Sequence, residues 1–180
     1  MNLSNLIEFY IAAKDGNRPH ILGEAFEASA QLEMEIKTDK ISFPTSVQGI
    51  DGIAKVLVSE FAQKYENVYT YCMGEPPQAG VSFCCYWLVC MTEKGSGAAR
   101  IGYGRYQWDR RQEGGKLCKL RITIEEMHSL PAEWSPQILG WARALPYPWC
   151  PFDALARTAP ALVPVQSVVS ALTWGGAAST

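Results

Sequence analysis

The sequence predicts an α+β fold, a strongly curved antiparallel sheet wrapped around helices, with a C-terminal helical and apolar extension. Three observations carry this. The first 64 residues hold helical periodicities interrupted by one strand, and residues 65–126 read as a run of strands joined by turns. The order helix, helix, strand, helix, then strands places the helices on one side of the sheet. The 180 residues suit one compact domain, read here as a main unit over 1–130 and an extension over 131–180 that packs on the same unit or on a partner subunit.

Asn5 or Ser4 can cap the first helix and Gly16 can end it, with Leu6, Phe9, Tyr10 and Ala13 at helical spacing. Pro19 suits the first turn of a short second helix running to Phe26. The period then changes to two. Leu32, Met34 and Ile36 alternate with Gln31, Glu33, Glu35 and Lys37, giving a strand with one dry and one wet face. Ile50, Ile53, Leu57 and Phe61 return to one helical stripe of about four turns. Asp51 in the first turn complements the helix dipole. The strands that follow are ENVYTYCM, VSFCCYWLVCM, RIGYGRYQWDR and KLCKLRITIEE, the last two joined at Gly114-Gly115. VSFCCYWLVCM is apolar on both faces, so it is buried on both.

A turn at Gly114-Gly115 sets Trp108 opposite Cys118, Tyr106 opposite Leu120, Gly104 opposite Ile122 and Gly102 opposite Ile124, all on an inner face. Arg105 opposite Arg121 and Gln107 opposite Lys119 form the outer face. Single-stranded nucleic acid needs basic residues and stacking aromatics on one accessible surface. Here the two sets separate and the net charge is -2, so no nucleic-acid partner is expected. Glycine inside a strand marks a bend, a bulge or a close approach. Gly102 and Gly104 on the inner face therefore predict a curled sheet, room for a ligand, or both.

The helix LIEFYIAAKDGN, the segment VQGIDGIAKVL and the hairpin GRYQWDRRQEGGKLCKLRITI together resemble the nuclear transport factor 2-like superfamily and, within it, the SnoaL-like proteins, over about residues 3–128. The resemblance implies a cone, a curved sheet around a long helix with a cavity opening at one end. It also implies a homodimer built through the outer sheet face, which the two-faced strand VSFCCYWLVCM would suit. The superfamily holds cyclases, dehydratases, isomerases, epoxide hydrolases and small subunits of ring-hydroxylating dioxygenases, so fold alone does not settle function.

The steroid isomerases of this superfamily carry a tyrosine on the first helix, an aspartate base on the first strand and a protonated acid before the final turn. Tyr10 matches the first position, whereas Met34 and Gly104 occupy the other two. Without the base, proton abstraction by that route is unavailable. The polar candidates left for catalysis are Tyr10, as a hydrogen-bond donor, and His128, which shares parity with Ile124 and Glu126 and is expected at the cavity mouth. Met34, Gly104, Tyr106, Trp108, Leu120 and Ile122 are the expected ligand-binding wall. Asp15 is expected on the surface.

The six cysteines include no Cys-x-x-Cys pair, so no metal site is expected, and they read as small apolar residues of a reducing, cytoplasmic compartment. No dinucleotide fingerprint or phosphate loop occurs, so no cofactor is expected. The uncharged stretch TAPALVPVQSVVSALTWGGAAST is too short and too broken by proline for a membrane span. Val163, Val168, Val169, Leu172 and Trp174 suit it instead to cover apolar surface. The sequence thus points to a partner that is a small apolar or aromatic molecule, bound or transformed by a lyase, isomerase or cyclase. The alternative is a non-catalytic assembly subunit with a filled cavity.

Overall fold

The computed structural model describes residues 1–177. Helix α1 (Leu3–Asp15) is capped by Asn2, two residues before Ser4 and three before Asn5, because the Asn2 side chain accepts from the Asn5 amide. Gly16 ends it. A short turn at Pro19–Ile21 leads into α2 (Leu22–Ala25). Strand β1 (Phe26–Ile36) and the short β2 (Ser46–Gln48) follow. The expected third helix is a rod of three parts: α3 (Ile50–Ala54), a π turn (Lys55–Ser59) and α4 (Glu60–Lys64). Gly49 turns the chain into it with a φ of 81°, a conformation only glycine adopts freely. Strands β3 (Tyr65–Met73), β4 (Ser82–Glu93), β5 (Ala99–Arg110) and β6 (Leu117–Leu130) complete the main sheet.

The seven strands lie in the order β2-β1-β6-β5-β4-β3-β7, β7 being Trp149–Cys150. The sheet is antiparallel except at β1–β6 and β3–β7, which are parallel. These parallel pairs are formed by strands far apart in the chain, which alternation within a strand does not reveal. The β5–β6 register differs from the sequence expectation by two residues: Trp108 faces Leu120, Tyr106 faces Ile122 and Gly104 faces Ile124. One residue of this shift is a bulge at Asp109/Arg110, and the other comes from the turn side of it, where Arg110 pairs with Leu117. A slip of two keeps Leu120, Ile122 and Ile124 on their expected face, whereas the bulge takes Cys118 out of register and Leu117 packs in the inner core instead. A second bulge, between Tyr103 and Gly104, leaves Glu125 without a partner and inverts parity beyond it. Met127 therefore turns inward to join the inner core, and His128 is set beside Ile101 on the outer side.

Each side of the sheet carries its own core. The inner one packs α1 and the α3–α4 rod on Leu32, Trp87, Val89, Tyr106, Leu120 and Ile122. The outer one belongs to the extension, which forms α5 (Ser135–Ala144), α6 (Phe152–Thr158) and α7 (Val163–Ala177). Ile138, Trp141, Val165, Val168 and Leu172 bury Tyr71, Leu88, Cys90 and Ile101 of β3, β4 and β5. The second apolar face of β4, from which a sheet-to-sheet homodimer is expected, is thereby covered by helices of its own chain. No helix among the described residues is long and apolar enough to cross a membrane.

Leu172 is fully buried on that face, whereas Trp174, two residues on, is 84% exposed. Leu172→Ala should lower stability by about 2–5 kcal/mol, through lost transfer free energy and a residual cavity. Trp174→Ala should change it by less than about 0.5 kcal/mol. Urea denaturation followed by far-ultraviolet circular dichroism checks both.

Candidate functional site

Inside the cone, between α1, the α3–α4 rod and the inner sheet face, lies a cavity of about 40 Å³. That is room for a water or two, since one needs roughly 10–15 Å³ of such volume. Its wall is mostly apolar, with Met34, Phe61, Val89, Met91 and Ile122 among the lining side chains. The segment between β1 and β2 closes one side: Ile41 and Phe43 reach the cavity, and Phe43 stacks on Phe61 with ring centroids 6.5 Å apart.

The polar groups come from three elements. Tyr10 on α1 is fully buried, and its ring packs edge-on against Phe26, Tyr106 and Trp108 at 6.1, 6.0 and 5.1 Å. Its hydroxyl makes no hydrogen bond within accepted geometry, and neither does the indole Nε1 of Trp87, the second such donor on this wall. A buried donor left in this state costs about 1–3 kcal/mol. Burial pushes the Tyr10 phenol far above its ordinary range, the nearby Tyr106 hydroxyl offsetting this in part, so it stays protonated and able to donate.

One helical turn beyond Tyr10, Lys14 lines the same cavity. Its Nζ donates to Thr70 Oγ1 at 2.9 Å and sits 4.4 Å from the centre of the Phe61 ring. Thr70 Oγ1 in turn donates to Asp15 Oδ1 at 2.7 Å, and the Thr70 amide donates to Asp15 Oδ2 at 2.7 Å. The Tyr147 hydroxyl donates to Asp15 from the outside at 3.0 Å. The Lys14 and Asp15 side chains are only 10% and 6% exposed. Burial drives the Lys14 ammonium below the usual lysine range, with Asp15 pulling the other way.

Tyr10, Met34, Tyr106 and Ile122 thus meet on the cavity wall. Trp108 and Leu120 are fully buried behind it, outside the lining. Gly104 makes no ligand space, because a Cβ there would lie 1.9 Å from the Thr123 carbonyl oxygen and 2.8 Å from Trp87 Cζ2. The gap over Gly102 is filled by the Met127 side chain in the same way. His128 is not at the cavity mouth. The β6 bulge puts it on the other side of the sheet, where Nε2 lies 3.0 Å from a Glu126 carboxylate oxygen. Asp15, expected on the surface, is buried under Tyr147 of the extension. Lys14, Thr70 and Trp87 are absent from the sequence reading of the site. Lys14 was findable, since it stands four residues from Tyr10 and seven from Ile7 on one helical stripe.

A wider trough of about 700 Å³ runs along the outer face beside α7, lined by Tyr86, Arg105, Gln107, Arg121 and Thr123. Its arginines are already paired, Arg121 with Glu33 and Arg105 with Glu125. The inner cavity is smaller, yet two donors without partners, Tyr10 and Trp87, belong to its lining.

Neither a family model nor a curated protein matches the chain. Solved structures do, with the nuclear transport factor 2-like, ketosteroid isomerase-like fold. A Catenulispora acidiphila protein of ketosteroid isomerase-like fold, solved in complex with trimethylamine, is 18% identical. It covers 73% of this chain and 97% of its own, with a TM-score of 0.53. A hexachlorocyclohexane dehydrochlorinase from Novosphingobium barchaimii is 14% identical over 71% of this chain and 87% of its own, with a TM-score of 0.55. A nuclear transport factor 2-like protein from Burkholderia thailandensis is 11% identical over 76% and 98%, with a TM-score of 0.54. At these identities the likeness is one of fold.

The packing at Gly104 yields a direct test. Gly104→Ala should destabilise the protein by about 1–3 kcal/mol through overpacking. Gly140→Ala, on an open helix surface where a Cβ meets nothing within 4 Å, should stabilise it by about 0.5–1 kcal/mol. Midpoints of urea unfolding decide both.

Proposed function

We propose that the cone cavity binds one small, largely apolar molecule that carries an oxygen acceptor. The observation behind this reading is the pair of buried, unpartnered donors, Tyr10 Oη and Trp87 Nε1, whose residues line one largely apolar cavity. An enclosed apolar cavity with a few polar groups is the usual form of a small-molecule site. A ligand oxygen would satisfy donors that otherwise cost stability, and the apolar remainder would rest on Met34, Tyr106 and Ile122. At about 40 Å³ the closed cavity is too small for a steroid, so entry of even a ring-sized molecule needs Ile41 and Phe43 to shift.

An isomerase, lyase or cyclase reaction is compatible with this site, and its polar participants would be Tyr10 and the Lys14–Thr70–Asp15 cluster rather than His128. The nearly filled cavity and the broad outer trough favour a second reading, a non-catalytic assembly subunit whose outer face docks a partner. No homodimer is required by either reading.

Ligand-observed NMR with cyclohexanone, phenol and toluene separates the two. Cyclohexanone and phenol should bind more tightly than toluene. Tyr10→Phe and Trp87→Phe should each weaken cyclohexanone about fivefold, the worth of one neutral hydrogen bond near 1 kcal/mol. Absence of binding by all three probes, with the fold intact, favours the assembly subunit.

A further inference from the structure

Lys14 is an anomaly of the inner core. Lysine is almost never fully buried unless it is paired, and a buried lysine is most simply explained as the counter-ion of a buried acid. Asp15 has little need of one. It already accepts the Thr70 amide and the Thr70 hydroxyl, each at 2.7 Å, and the Tyr147 hydroxyl at 3.0 Å, whereas Lys14 stands 3.5 Å away. The close bond of Lys14 is to Thr70 Oγ1, and the residue lines the cavity that Tyr10, Phe61 and Trp87 also line.

From this geometry we infer that Lys14 is the reactive amine of the cavity and that the ligand it meets is a small aldehyde or ketone, which it captures as an imine. The inference rests on the binding reading of the same cavity. The chain from Lys14 through Thr70 to Asp15 gives the amine a way to become a nucleophile. The ammonium proton passes to Thr70 Oγ1 as the Thr70 proton passes to Asp15, which Tyr147 connects to the surface. Burial away from water favours the neutral amine, the state in which a lysine attacks a carbonyl. Attack forms the N–C bond and converts the carbonyl to a carbinolamine. The C–O bond then breaks, and the two hydrogens of the neutral amine leave with the carbonyl oxygen as water. Tyr10 Oη and Trp87 Nε1 are free to donate to that oxygen while it carries negative charge. The charged and titratable groups acting on Lys14 are Asp15 from its own helix and the Cys72 thiol from β3.

Trapping tests this. The intact protein is incubated with cyclohexanone and sodium cyanoborohydride at neutral pH, and alkylation of each lysine is followed by peptide mass spectrometry. Lys14 should be alkylated at least tenfold faster than Lys40, whose side chain is 58% exposed. Thr70→Val and Asp15→Asn should slow Lys14 but not Lys40. Lys14→Met, folded as judged by circular dichroism, should abolish the fast adduct and leave alkylation of Lys40 unchanged. Alkylation of Lys14 no faster than Lys40, in a folded protein that binds cyclohexanone, overturns the imine and leaves the binding site standing. If cyclohexanone neither binds nor alkylates Lys14, the imine and the binding reading fall together. Alkylation of Lys14 that is unchanged in both Thr70→Val and Asp15→Asn overturns the proton relay.

Discussion

Helix α1 enters the concave side of the sheet on the side chain of Tyr10. Its ring meets Phe26 from β1 and both Tyr106 and Trp108 from β5, edge to face, and all four side chains are buried. Aromatic pairs of this geometry add about 0.5–1.5 kcal/mol each to the area they bury. They also fix the rotation of the helix about its axis. Once Tyr10 points into the cone, helical spacing directs Lys14 into it one turn later. The end of the helix then lies against β3, and Asp15 closes on Thr70. The cavity's polar groups are thus a consequence of how one helix is seated.

The curvature that makes room for this helix comes from the strands. Gly104 allows the Trp87 ring and the β6 backbone to approach where any Cβ would collide, and the neighbouring bulge bends the sheet. On the convex side the same strands present Leu88, Cys90 and Ile101, which no solvent-facing sheet could leave bare. Helices α5 and α7 cover them. The extension also touches the inner site, through Tyr147 on Asp15 and the Trp149 indole donating to Glu8 at 2.8 Å. It joins the two sides of the sheet at the open end of α1.

Period-two alternation made the faces of β1, β5 and most of β6 legible in the sequence, while β4 was legible only as a strand buried on both faces. The alternation survived a register error of two because parity, not pairing, decides which side a residue faces. Bulges carry no such signature. The extra residue at Glu125 inverted the parity of everything after it, and with it the reading of His128. The glycine gap was legible as a close approach but not as a filled one, since Trp87 and Met127 come from strand neighbours that only the register reveals. Tyr10 and Met34 could be placed from their own elements. Lys14 lay on the same stripe as Tyr10, yet a lysine near a helix end is ordinarily a solvated, dipole-complementing residue. Thr70 and Tyr147, which bury the Lys14–Asp15 pair, are 56 and 132 residues distant from their partners.

Asp15 ties the end of α1 to Thr70 and Tyr147, whereas the buried Lys14 adds only one close bond, to the Thr70 hydroxyl. Ion pairs of this kind are often replaceable by apolar side chains without loss of stability, because desolvation offsets the Coulomb attraction. The surrounding core is rich in residues that could have filled the volume, and it accommodates Tyr10 and Trp87 with donors unpaired. Buried donors without a partner also occur at Trp108 and Trp141, but Tyr10 and Trp87 share the lining of one cavity with the buried Lys14 and Thr70, amid apolar side chains from Met34 to Met127. Natural cores carry such departures where function requires polarity in a dry place. Polar side chains grouped in an otherwise apolar lining distinguish this cavity from a packing defect, whose lining is apolar throughout.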